Sequence, residues 1–174
     1  MLVEETFMAF ICLIISAVLI GIDQLTKFLV SQNIAPAGGG MPNTIHLIDG
    51  FLSITYIENT GMALGLLENQ RWIFIPLTIV GMLVLAVFLF RYKKHNFWSY
   101  SAITLLIAGG IGNLIDRVVR GYVVDFISFS FFPYVFNFAD CCVTVGAVML
   151  ILAVIFSERQ KKRNADKPLR HSEE

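Results

Sequence analysis

Two aspartates stand where an apolar chain has least reason to keep them. Asp140, in FNFADCCVTVG at 136–146, opens a run with no further charge until Glu158. Holding an ionisable group in hydrocarbon costs roughly 2.5–3.5 kcal/mol on insertion scales, so such a group reads first as a functional site facing protein or water. Asn137 lies three residues earlier, one helical turn, which puts both side chains on one face. Asp125, in VVDFISF, follows Arg117 by eight residues. A short loop then returns the chain to Asn137 and Asp140, so both aspartates lie near one interface. Asn113, Asp116, Arg117 and Arg120 fall at i, i+3, i+4 and i+7 and form a polar stripe at the end of an apolar helix.

Two carboxylates in one partly desolvated site can share a proton, because repulsion raises one apparent pKa and leaves a base beside an acid. Such a pair can take a proton from water, polarise a carbonyl and later protonate the leaving amine, which is peptide hydrolysis without a metal or cofactor. The plainer alternative pairs Asp116 with Arg117 or Arg120 and lets the aspartates cap helix ends. Likewise Asp23 and Lys27, one turn apart, could form an i, i+4 salt bridge at the end of the first span. Zinc hydrolysis lacks ligands: His46, His95 and His171 are scattered and no HExxH occurs. Cys12, Cys141 and Cys142 show no metal-binding spacing and read as small buried residues.

These residues need a scaffold, and composition describes it. Of 174 residues, 56% are hydrophobic and 15% charged, with mean hydropathy +0.72, a membrane composition. A span takes about 20 mostly apolar residues, and four stretches qualify, at about 7–30, 72–90, 97–115 and 136–156. The first has no basic residue before it and runs past signal-peptide length, so it is expected to be retained. The expected fold is a membrane α-helical bundle of four transmembrane helices with a small extracytoplasmic β-sheet segment. One peptidase domain would cover 1–157 and a charged cytoplasmic tail 158–174.

Charge sets the orientation. Arg91, Lys93, Lys94, Arg159, Lys161, Lys162, Arg163, Lys167 and Arg170 fall on one side, and Arg71, Arg117 and Arg120 on the other. By the positive-inside rule both termini are cytoplasmic and the 31–71 and 116–135 segments face outward. Net charge is zero and gives no sign of a nucleic-acid partner. In TIHLIDGFLSITYIEN, Asp49-Gly50 between apolar runs predicts a two-residue hairpin, with Leu52, Ile54 and Tyr56 on one face. The β segment is expected at about 44–66, lying over the site, with an edge that could pair with an extended peptide. Intramembrane Asp and Asn also mark ion pathways, so the alternative is a small transporter or proton-conducting subunit. A purely structural subunit would need no clustered polar stripe.

Five motifs then coincide: DQLTK at 23–27, ENTGMALG at 58–65, GNLIDR at 112–117, VDF at 124–126 and FNFAD at 136–140. In order and spacing the chain resembles the lipoprotein signal peptidases, or type II signal peptidases. The resemblance implies an intramembrane aspartyl endopeptidase of the bacterial inner membrane. It would remove signal peptides from prolipoproteins, cutting before a diacylglyceryl-modified cysteine. It implies Asp125 and Asp140 as the catalytic pair, and Asn59, Asn113, Arg117 and Asn137 as substrate contacts; Gly61 joins the expected substrate contacts because a residue without Cβ is favoured where backbone turns sharply or approaches a ligand. Asp23, Lys27 and Asp116 would play supporting roles. It also implies membrane lipid as surroundings and the cyclic peptide globomycin as an inhibitor. Leu64 stands where the family commonly has an aromatic, and Cys141-Cys142 where it has small residues; both could reshape the pocket.

Overall fold

The computed structural model describes residues 2–36, 42–61, 70–92 and 95–165. Lys93, Lys94, the 62–66 end of the expected β segment with Leu64, and the tail beyond Ala165 with His171 lie outside the described residues. Four helices are long and apolar enough to cross a membrane: α1 (Leu2–Asn33), α2 (Arg71–Arg91), α3 (Phe97–Val119) and α4 (Phe138–Ala165). The helices outrun the expected spans at most ends. At 1.5 Å per residue, the 32 residues of α1 reach about 48 Å, beyond a hydrocarbon layer of roughly 30 Å. The helix α4 continues through Glu158 and Arg159 to Ala165 rather than giving way to an irregular tail at 158, because Glu, Arg, Gln and Lys are good helix formers.

The helix α3 is the axis of the bundle. Its Ala102, Ile103, Ile107 and Ala108 are buried, while large apolar side chains of α1, α2 and α4 point outward, the polarity expected where the surroundings are lipid. Lipid gives helices no hydrophobic reason to associate, so close approach of small residues has to serve. A Cβ on Gly109 would collide with the Ala139 carbonyl oxygen, and one on Gly112 would lie 2.6 Å from Asp23 Oδ2. These two positions let α4 and the Asp23 carboxylate press against α3. At its start α3 carries a capping box, with the Asn96 side chain accepting from the Ser99 N–H and Ser99 returning a bond to the Asn96 N–H.

At the other end of the bundle lies one antiparallel sheet in the order β1 (Ile45–Ile48), β2 (Leu52–Asn59), β3 (Val123–Phe129), β4 (Val135–Phe136). The hairpin falls at Asp49-Gly50 as expected, with Gly50 at φ 68°. Its connection is one residue longer, since Ile48 pairs with Leu52 and the Phe51 N–H donates to the Ile48 carbonyl. The alternation of Leu52 and Ile54 does not reach Tyr56. Ile54 pairs with Ile127 but Ile57 pairs with Asp125, so β2 holds one extra residue there. That bulge reverses which side chains face which side of the sheet.

The VVDFISF segment, for which the sequence suggests no element, forms the inner strand β3, its Val123 to Phe126 all buried. One local expectation is corrected. The helix α4 begins at Phe138, with Asn137 just outside it, so Asp140 occupies the first helical turn rather than standing one turn inside.

Candidate active site

Asp125 and Asp140 reach one cavity of about 540 Å³ from different elements, the first from the middle of β3 and the second from the start of α4. Asn59, Gly61, Arg117 and Phe136 help to wall it. The volume falls in the range of small-ligand and peptide pockets.

Each carboxylate is held by amides. Asp125, 3% exposed, accepts from Asn59 Nδ2 at 2.8 Å on one oxygen and from Asn137 Nδ2 at 2.6 Å on the other. Asp140 accepts from Asn113 Nδ2 at 2.8 Å and from the Asn137 backbone N–H at 3.1 Å. The second Asn137 amide hydrogen goes to Asn113 Oδ1 at 3.1 Å. Asp125, Asn137, Asn113 and Asp140 therefore form one chain of hydrogen bonds from carboxylate to carboxylate. Burial, and next the charge of Asp140, push the Asp125 carboxyl up to about 6, against the pull of its Asn59 and Asn137 bonds.

The helix-capping alternative is part of the answer. Asn137 Oδ1 accepts from the Asp140 N–H at 2.9 Å while Asp140 returns the bond to the Asn137 N–H, a capping box at the start of α4. Asp23 Oδ1 satisfies the next orphan donor, the Ala139 N–H, at 2.9 Å. Capping thus aims Asp140 at the cavity.

Beneath this layer lies a charged cluster. Lys27 Nζ is 2.9 Å from Asp23 Oδ2 and 3.0 Å from Asp116 Oδ2, with all three side chains shut away from solvent. The i, i+4 bridge of Asp23 and Lys27 is present, but as part of a larger network. Asp116 faces Lys27 and the Val124 N–H at 3.2 Å, which ties α1 and α3 to β3, and of the two arginines in the plainer alternative Arg120 forms a looser ion pair with it at 3.8 Å. Gln24, which the sequence reading passed over, donates to the Gly112 carbonyl and to Asp23 and Asp116. Gln24 lies inside DQLTK, but a single amide there carries no periodic signal.

The substrate contacts read from the sequence divide. Asn113 and Asn137 already have protein partners at every polar atom named above. Asn59 donates to Asp125, and its Oδ1 accepts the Gly61 N–H at 3.0 Å, making a tight turn at the cavity rim. Arg117 lies with Cζ 5.2 Å over the Phe74 ring, and Nη1 is 3.4 Å from the Asn113 carbonyl; it borders the open space. Glu58, the first residue of ENTGMALG, also lines the cavity, together with Pro133, Tyr134, Val143 and Thr144, which carried no sequence signal of a site. Among the described residues no three His, Cys, Asp or Glu side chains converge as metal ligands would.

Known proteins share this arrangement of chain. A family model described as signal peptidase (SPase) II matches residues 15–156. The chain is 40% identical to the lipoprotein signal peptidase of Caldanaerobacter subterraneus subsp. tengcongensis over 144 residues, 83% of this chain and 95% of the relative. Identity is also 40% to that of Clostridioides difficile, over 86% of this chain and 98% of the relative. A solved bacterial membrane enzyme structure superposes with TM-score 0.76 at 32% identity, covering 91% of this chain and 92% of the other. A second gives 0.72 at 34% identity, covering 82% and 91%. Matched over most of its length in sequence and in fold, the chain belongs to the signal peptidase II family.

Proposed function

We propose that this protein is an aspartyl endopeptidase that removes the signal peptide from diacylglyceryl-modified prolipoproteins, cutting before the lipidated cysteine at the outer face of the bacterial inner membrane. The family makes it a membrane protease that processes signal peptides. The aspartyl mechanism rests on one observation: two carboxylates from separate elements face one cavity and are linked through the Asn137 and Asn113 amides.

Asp125 carries the proton, since its carboxyl is pushed up to about 6, and Asp140 is the ionised partner with a backbone and an amide donor. Asp140 takes a proton from water as the water oxygen bonds to the scissile carbonyl carbon, and Asp125 gives its proton to the carbonyl oxygen. The tetrahedral species then collapses. Asp140 passes its proton to the cysteine nitrogen as the carbon–nitrogen bond breaks, and Asp125 recovers a proton from the hydroxyl that becomes the new carboxyl group. Arg117, with a planar fork of donors, holds substrate carbonyls along the cavity wall.

An edge of the sheet receives the extended peptide. The inner strand β2 has both neighbours, whereas β4 is an edge strand whose residues wall the cavity, so the peptide aligns along β4 rather than along the hairpin. The test is cleavage of a diacylglyceryl-modified prolipoprotein peptide by purified protein. Asp125→Asn and Asp140→Asn should each lower the rate by at least about 10²-fold, with folding kept. Turnover within about tenfold of wild type in folded variants would overturn the assignment.

A further inference from the structure

The mechanism above makes no use of Lys27, although its charged side chain is fully enclosed. We propose that Lys27 is a positioning residue for Asp140, acting through the Asn113 amide; the inference rests on the aspartyl reading of the site. Lys27 Nζ has three hydrogens and three acceptors around it: Asp23 Oδ2, Asp116 Oδ2 and Asn113 Oδ1, the last at 2.9 Å. Two carboxylates already balance its charge. The third hydrogen is directed at the residue that touches Asp140.

An ammonium only donates, so Asn113 must turn its oxygen to Lys27. Its nitrogen then faces Asp140 Oδ1 at 2.8 Å. The neighbouring amide is set from the opposite direction: the Asp140 N–H requires an acceptor, so Asn137 presents Oδ1 there and Nδ2 toward Asn113 Oδ1 and Asp125 Oδ1. Flipping Asn113 would set its nitrogen against Lys27 Nζ and Asn137 Nδ2, and its oxygen against the Asp140 carboxylate. All three contacts would be mismatched. Lys27 therefore decides that Asp140 meets a donor rather than an acceptor, which favours the ionised form that takes the proton from water.

Other charged or titratable groups near Asp140 are Asp23 on α1, Glu58 on β2, Asp116 and Arg117 on α3, Asp125 on β3, Tyr134 just before β4, and Cys141 and Cys142 on α4. None of them contacts Asn113 Oδ1 in the described structure. Lys27 alone combines a formal charge with a bond to that oxygen.

The experiment measures kcat and KM across pH for full-length protein in lipid nanodiscs, with a diacylglyceryl-modified prolipoprotein peptide. Lys27→Met leaves two buried carboxylates without their cation and is expected to destabilise the fold, so Lys27→Met/Asp23→Asn accompanies it, with Asn113→Leu and the triple variant. The expected result for the double variant is thermal stability sufficient to purify, KM within about threefold and kcat lowered about 10- to 100-fold, the size of a bond to a charged group. The acidic limb of its pH profile should move up by about one pH unit. Asn113→Leu should give the same shift, and the triple variant should be no worse than the worse parent. A wild-type profile in folded Lys27→Met/Asp23→Asn, an unshifted profile in Asn113→Leu, or losses that multiply would reduce Lys27 to a structural tie. Full activity of Asp140→Asn would instead remove the aspartyl reading itself, so the two failures are distinguishable.

Discussion

Asp125 is the residue whose protonation should be visible from outside. Burial and Asp140 raise its carboxyl from 3.8 to about 6, so the folded protein binds this proton more tightly than the unfolded chain does. Stability from this group is therefore full below about pH 4 and is lost as pH rises toward 6, a change of about 3 kcal/mol. The expected outcome is a wild-type melting temperature that falls over this interval relative to Asp125→Asn, with kcat/KM declining as pH rises through about 6. Parallel melting curves for the two proteins between pH 4 and 7 would show that Asp125 does not hold the proton. At this scale the sequence was informative about which residues matter and less so about what they touch. Asp125 and Asp140 stood out because charge is scarce in an apolar chain. That Asn113 and Asn137 bind the carboxylates could not be read from spacing, because it depends on a sheet and two helices meeting.

The extra residue in β2 is what turns Asn59 toward Asp125. Opposed residues share a face, so Ile57 and Asn59 lie on the Asp125 side after the bulge. With the same residues and no bulge, the pairing that holds at Ile54 and Ile127 would carry on and place Tyr56 and Glu58 there instead. Deleting Thr55 removes the extra residue yet leaves Ile57 opposite Asp125 and Asn59 on the same side, so kcat/KM should stay within about threefold. Asn59→Ala should lower it by about 10- to 100-fold, the value for loss of one bond to a charged group. A loss on deleting Thr55 as large as that of Asn59→Ala would mean that the bulge serves some other contact. The element boundaries explain where sequence reading succeeded. Long apolar runs identify helices because hydrocarbon demands them, and Asp49-Gly50 marks a turn because glycine tolerates positive φ. The strand β3 was missed because VVDFISF is short and its partner β2 lies more than sixty residues away in sequence.

For the whole molecule, both chemistry and orientation give predictions that a membrane preparation can check. Each oxygen of Asp125 and Asp140 accepts an N–H donor, and Arg117 borders the same cavity, surroundings that suit a carboxylate pair better than a divalent cation. Activity should therefore survive dialysis against EDTA; loss on chelation with recovery on adding magnesium or zinc would make the aspartates ligands. Among the described residues Arg91 and Arg159 stand toward the ends of α2 and α4 away from the sheet, so the positive-inside rule predicts a cytoplasmic location for that end. Asp49, exposed at the hairpin, and Glu158, exposed near the far end of α4, mark the two sides. With exposed Cys141 replaced by Ala, Asp49→Cys should react with a membrane-impermeant maleimide on intact cells, and Glu158→Cys only after the membrane is opened. The reverse pattern would put the cavity on the cytoplasmic side. There it could not meet a signal peptide whose lipid-bearing cysteine has already crossed the membrane, and the proposed substrate would have to be abandoned even if both aspartates proved essential.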